Sequence, residues 1–535
     1  MNLPGDREVA IEVGVFAAAL FVMVARVPHL EHFLVNADHG YQLAAGAELL
    51  RGRLPGVHSL SNYGPLVAVL SAATLWTTGN LVGEAVFCAT AWAAAIWLAF
   101  RLTRRRFAPV AGWSAGISAV LLVARFHKWY MWLLPLAALA AADPPSGVLG
   151  RRRWAVCGIV CGVGALLHPE LGVASLAALA VVALADSLRD QGLTWPAGWI
   201  PLALGFAVPT GLWLAIVGAV AGPEGVARAL RVIPEGISGT VKYLSVPPPP
   251  FRLDTPFSTS SAHALALTLL PSIEIAAVAL GGWLGYADRG AVLAREGRLL
   301  AAIGVMGLAF YPHAIYRAGL PHLIQGVWPL LVGVPALCSL SVRFARSAAV
   351  SGPRGRPAWL LVAGASLTAL LTTAALLPIA LQPHYDLAPL RPAPFSGLAE
   401  LSEGLSAIPH HPYAEVVGTI ERLTGPTDEI LVASWAPQLL VFANRPSSGL
   451  SFAYQRGIFD STEWRRERLA LLERTPPALV IAPTLFGPAS TFRASEPEMY
   501  EFVRAHYRVV ALHQAAGMIV LARDHVRLDP PLALK

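Results

Sequence analysis

One carboxylate opens the first polar stretch of the chain. "NADHGYQLAAGAELLRGRLP" places Asp38 first, Tyr41 three positions on, and an arginine pair near the end, with Tyr63 in the polar loop beyond. A positioned carboxylate can take a proton from a hydroxyl. Three further stretches gather cations and imidazoles: Arg125, His127 and Lys128 in "RFHKWYMW", His168 and Glu170 in "LLHPELGV", and Arg317 and His322 in "YRAGLPHLIQ". Such groups are suited to an anionic oxygen, a phosphate above all. An acid that accepts a proton and cations that receive a departing phosphate are the two halves of a group transfer.

Each of these residues also has a plainer reading. Asp38 could be a solvated loop acid or the cap of the helix that follows. Tyr41 could pack at a membrane interface, where Tyr is common, and Arg125, His127 and Lys128 could be an interfacial anchor whose cations snorkel. Pro169 with a capping Glu170 could be a simple turn, and Arg317 could begin a helix. Ionisable groups at such depth are nonetheless expensive and usually functional. Asp38, His168, Glu170 and His322 could in principle hold a metal. No H-x3-H or H-E-x-x-H spacing supports one, so no cofactor is assigned and a divalent metal stays an open reading.

The elements that must hold these residues are membrane spans. The 535 residues are 55% hydrophobic and 14% charged, with a mean hydropathy of +0.56. A soluble chain would carry about 25% charged residues. Apolar runs of spanning length fall near 8–30, 82–100, 108–124, 129–145, 154–169, 171–187, 196–221, 263–286, 299–312, 322–341 and 358–381. The run 64–79 is short and reads as lying on or dipping into the membrane. The start is no convincing signal peptide, because Asp6 and Glu8 flank Arg7 and no A-x-A site follows.

The net charge of +7 is almost wholly arginine. The arginines crowd short loops such as "RLTRRRF" and "ADRGAVLAREGR", which marks those loops as cytoplasmic and excludes a nucleic-acid face. The N-terminus then lies inside, and 31–63 and the tail lie outside. Eleven spans put nearly every unusual polar residue on the outer face. The four cysteines sit in apolar runs and read as small buried hydrophobes.

The chain therefore reads as a polytopic α-helical membrane protein of about 11 spans, 1–381, followed by a soluble extracytoplasmic α/β domain, 382–535. In that tail "EILVASW", "PALVIAP" and "YRVVALHQAAGMIVLAR" read as buried strands. "PYAEVVGTIERLTG" and "STEWRRERLALLERT" read as amphipathic helices, the first closed by Gly425. "SVPPPPFRLDTP" reads as a stiff outer linker.

Asp38, Tyr41, Ala47, Leu50, Gly52, Pro55 and Pro65 together resemble the first outer loop of the GT-C superfamily of membrane glycosyltransferases, the mannosyltransferase and aminoarabinose-transferase type. "RAGLPH" resembles an R-x-[DG]-x-x-H pattern of several bacterial relatives. His39 stands where relatives often carry Glu, Gly319 where they often carry an acid, and no acid precedes Asp143 in the loop where some have one. The resemblance implies transfer of a hexose or pentose from a polyprenyl-phosphate sugar donor to an extracytoplasmic lipid, glycan or protein acceptor. It implies Asp38 as general base and Tyr41, Tyr63, Arg125, His127, Lys128, His168, Glu170, Arg317 and His322 as substrate-binding residues. The expected partners are the lipid donor, the lipid or glycan acceptor and membrane lipids, with no nucleic acid. The expected place is the plasma or inner membrane.

A polysaccharide ligase or polymerase, which also gathers Arg and His outside, and a membrane transporter are the rival readings. No internal repeat favours the transporter. No Walker A or DxD sequence is present, against a cytoplasmic nucleotide-sugar enzyme.

Overall fold

The structure is a computed structural model. It describes residues 6–26, 37–61, 63–122, 126–143, 150–189, 198–243, 247–250, 252, 254, 258–286, 291–316, 322–323, 326, 328–351, 413–452, 454, 459, 461–484 and 491–523. Arg125, Arg317 and the span expected at 358–381 lie outside the described residues.

Five described helices are long and apolar enough to cross a membrane: Asp6–Ala25, Val82–Arg106, Trp199–Gly239, Ser260–Gly285 and Leu293–Ile315. Shorter apolar helices cover Pro65–Thr78, Pro109–Leu121, Pro169–Leu184 and Trp328–Leu340. At about 1.5 Å per residue, the 14 residues of Pro65–Thr78 reach well short of the roughly 30 Å of a hydrocarbon core.

The chain divides into two compact units. One comprises Met1–Arg26, Cys88–Leu212 and Ser245–Pro392; the other comprises Val27–Phe87, Trp213–Leu244 and Ala393–Lys535. The tail thus shares a unit with the Asp38 loop and with residues 213–244, a grouping that a cut of the sequence at 381 does not convey.

The first unit is a helical bundle drawn together by small residues. Gly158 and Gly205 sit where a Cβ would strike the backbone of Leu202 and Ala155, respectively. Gly281, Gly285 and Gly297 bring the helices Thr259–Tyr286 and Ala291–Tyr316 equally close. Such close approach of backbones is how apolar helices associate without a hydrophobic driving force between them.

In the second unit the tail forms a four-stranded sheet in the order β1-β2-β4-β3, from Ile430–Val432, Leu479–Pro483, Tyr507–His513 and Met518–Arg523. β1 and β2 run parallel; β4 is antiparallel to both β2 and β3. The run 507–523 is thus a hairpin of two strands rather than one, turning at Gly517 with φ 64°. Helices Ala414–Leu423 and Thr462–Arg474 fall where the amphipathic pattern put them. The first ends at a Thr424 cap with extended backbone, so Gly425 does not close it.

The stretch 222–243, just beyond the expected span 196–221, is helical. It continues Trp199–Tyr243 beyond a break at Gly222, whose φ of 68° and ψ of −171° only glycine adopts at ease.

Candidate functional site

Asp38 lies inside the helix Ala37–Leu50, in its first turn, and is partly exposed. The helix starts ahead of the acid, so Asp38 is not its cap. A carboxylate here is favoured by the amide dipoles of the helix start. The next residue, His39, is fully buried, with Nε2 3.3 Å from Glu84 Oε1. Glu84 also accepts from Thr74 Oγ1 at 2.6 Å and Ser71 Oγ at 3.3 Å. His39 therefore has a buried acid partner of its own.

Tyr41 is buried and donates its hydroxyl to the Leu60 carbonyl. Its ring meets Tyr63 edge-on at 5.8 Å and Phe452 at 5.4 Å. Burial pushes the phenol's pKa well up, against hydrogen bonds to Ser451 and Ser61. Tyr41 and Tyr63 are packing residues in this geometry, pinning the loop that follows the helix onto the tail.

The lower end of the helix is fixed by Glu48. Its buried carboxylate accepts from Arg51 at 3.1 Å, Arg53 at 3.0 Å and the Ser447 amide at 3.1 Å. Arg51 also donates to Asn444 at 2.8 Å, and Arg53 to Glu429. Gly52 turns the chain at φ 83°. Above it, Gly40 faces Gln438 where a Cβ would collide. The "AELLRGRLP" pattern is thus a device that locks the Asp38 helix to the tail domain.

The first unit holds the second cluster. Helix Arg151–Leu167 ends at His168, whose extended backbone (φ −149°, ψ 108°) caps it by donating its N–H to the Gly164 carbonyl. Pro169 opens the next helix, and Glu170 sits in its first turn. Gly164 lies against Gly172, and Gly172 against Ala165, so the two helices meet almost backbone to backbone at this turn. The Glu170 carboxylate is 3.1 Å from His313 Nδ1. The His313 ring lies 5.8 Å from that of His168 and 5.5 Å from that of His322. Tyr130 reaches the His168 ring at 6.2 Å, and buried Lys128 lies 5.9 Å over Tyr130. Trp92 holds the 126–128 turn by donating to the Phe126 carbonyl at 2.8 Å.

The structure brings Lys128, His168, Glu170 and His322 together and adds His313, which sequence reasoning passed over. His127 is buried in the same turn as Lys128. The signal for His313 was "YPHAIY", a histidine nine residues before His322 at the end of an apolar run. Among the described residues, no group of three or more His, Cys, Asp or Glu side chains is placed to hold a metal ion.

No protein-family model and no curated protein matches the chain. Among solved structures, ArnT from Cupriavidus metallidurans bound to undecaprenyl phosphate is similar over 97% of this chain and 98% of its own, at 17% identity and a TM-score of 0.50. The chain shares the fold of this ArnT structure. The likeness falls to a TM-score of 0.48, at 12% identity, for the Archaeoglobus fulgidus oligosaccharyltransferase, over 93% of this chain and 72% of that one.

Proposed function

We propose that the chain is an integral-membrane glycosyltransferase that moves a hexose or pentose from a polyprenyl-phosphate donor to an extracytoplasmic lipid, glycan or protein acceptor. The ArnT structure of the same fold holds undecaprenyl phosphate. The observation that carries the reading here is His313, held by Glu170 and flanked by the rings of His168 and His322, with Lys128 linked to His168 through Tyr130. It is a site for an anionic oxygen at the turns of an apolar bundle.

In the transfer, Asp38 takes the proton from an acceptor hydroxyl. That oxygen attacks the anomeric carbon through an oxocarbenium-like transition state. The bond from carbon to the lipid phosphate oxygen breaks, and the phosphate leaves with the electron pair. Configuration inverts in this single displacement. Lys128, the histidines and, by the sequence pattern, Arg125 and Arg317 meet the charge that develops on the phosphate. No step is assigned to a metal. Tyr41 and Tyr63 act by shaping the Asp38 loop. Residues 1–381 supply the spans and 382–535 the domain outside the cell or inner membrane, with about 11 crossings in all.

The test is the lipid-linked glycan pool of a deletion strain, read by mass spectrometry. A polyprenyl-phosphate sugar should accumulate while one surface glycan, lipid or protein loses that sugar. Unchanged pools of both would contradict the reading.

A further inference from the structure

The unit that carries Asp38 also holds a cavity of about 850 Å³, within the roughly 300–1,000 Å³ range of ligand pockets. Its walls come from three parts of that unit: Arg53–His58 beyond the Asp38 helix, the helical turns after Gly222, and the tail around Ser448 and Trp464. Three arginines and four glutamates line it. The arginines are already matched: Arg228 to Glu467 at 2.5 Å, Arg231 to Glu463 at 2.6 Å, and Arg53 to Glu429. Trp464 anchors the wall, with both Arg228 and Arg231 over its ring at 4.8 and 5.1 Å.

A wall of this kind selects by chemistry. An apolar ligand would strip water from many charges without replacing their hydrogen bonds. An anion would meet the glutamates, and a cation the arginines. What fits is an uncharged ligand that both donates and accepts hydrogen bonds at close intervals. Groups are left over for it. Nε and Nη2 of Arg228, the side-on edge of the guanidinium, are buried with no hydrogen-bond partner among the described residues, and so is the Ser448 hydroxyl. Burial, then Arg228 and Arg53, lower the pKa of His58, which keeps its ring neutral.

We propose that this cavity binds a neutral stretch of glycan, hydroxyl groups bridging the arginine edge, Ser448 and the glutamates. That this glycan is the acceptor rests on the glycosyltransferase reading; the binding itself does not.

The experiment uses the purified full-length protein in nanodiscs, with no donor present. Saturation-transfer NMR and calorimetry read the binding of neutral hexasaccharides of glucose, mannose, galactose and N-acetylglucosamine, a galacturonic acid hexamer, and inorganic phosphate. At least one neutral hexamer should bind, and the charged probes should not. Ala227→Trp, from an exposed lining position, should weaken that binding at least tenfold with the melting midpoint kept. His58→Trp should do the same from the loop beyond the Asp38 helix, and Glu421→Trp, outside the cavity, should not. Asp38→Asn should bind like the parent, which separates this site from the base. Binding of only the acidic hexamer or phosphate, of no hexamer at all, or undiminished binding in both filling variants would overturn the proposal.

Discussion

Glu170 and His313, 143 residues apart in sequence, stand 3.1 Å apart, carboxylate oxygen to Nδ1. The pair orients the ring that lies between His168 and His322. A hydrogen bond to a charged group is worth about 1.5–3 kcal/mol, or roughly 10- to 100-fold at about 1.4 kcal/mol per decade. His313→Ala should therefore lower kcat/KM for the lipid-linked donor by about that factor, in protein that still inserts into the membrane. Parent kinetics in that variant would remove the histidine from the site.

His313 shows where reading the sequence stops. The apolar runs around 263–286 and 299–312 and the tail helices are visible because hydrophobic spacing is a local property. The "HPE" turn was also visible, since Pro169 must end one helix and start another. The partner of Glu170 was not, because only packing of distant helices brings His313 to it. The same holds for Glu48. Its neighbours Arg51 and Arg53 are plain in "AELLRGR", but Ser447, Asn444 and Glu429 reach them across nearly 400 residues. Helix after Gly222 was missed for another reason: its glycine and prolines carry loop signals that the break at one residue absorbs.

Gly52 should tolerate no side chain for reasons of backbone alone. Its φ is 83°, and a Cβ there would touch nothing within 4 Å. Gly52→Ala should thus destabilise by about 1 kcal/mol, the cost of forcing an ordinary residue into the left-handed region. Differential scanning fluorimetry of the full chain should show a lower midpoint. A midpoint equal to the parent's would mean the turn relaxes freely.

Arg468 and Glu496 form a buried pair in the tail, and Arg468 also donates to the Phe459 carbonyl at 2.7 Å. Burial pushes the Glu496 carboxyl up from 4.5 to about 7, although Arg468 pulls it down. A folded-state pKa above the unfolded one means the native form binds more protons between these values. Its contribution to stability is complete below about pH 4.5 and is lost as pH rises through about 7. The melting midpoint of the parent, relative to Glu496→Gln, should fall across that window. A difference independent of pH would show that the carboxyl titrates normally.

The proposed orientation is open to labelling. Cys88, Cys157 and Cys161 are buried, so a Cys338→Ala background is nearly silent. In intact cells an impermeant maleimide should label Glu421→Cys in the tail and His58→Cys in the first loop, both exposed sites. It should label Arg151→Cys only after lysis. Protection of both outer sites would reverse the topology.

The central claim is that Asp38 is the base of the transfer. Loss of a positioned general base costs roughly 10²–10⁴-fold, and Asp38→Asn keeps the size while removing the basicity. The measurement is turnover of a polyprenyl-phosphate sugar by the purified Asp38→Asn protein in nanodiscs, beside the parent. A loss of about that factor, with insertion and melting intact, is the predicted result. Turnover near the parent rate would contradict it.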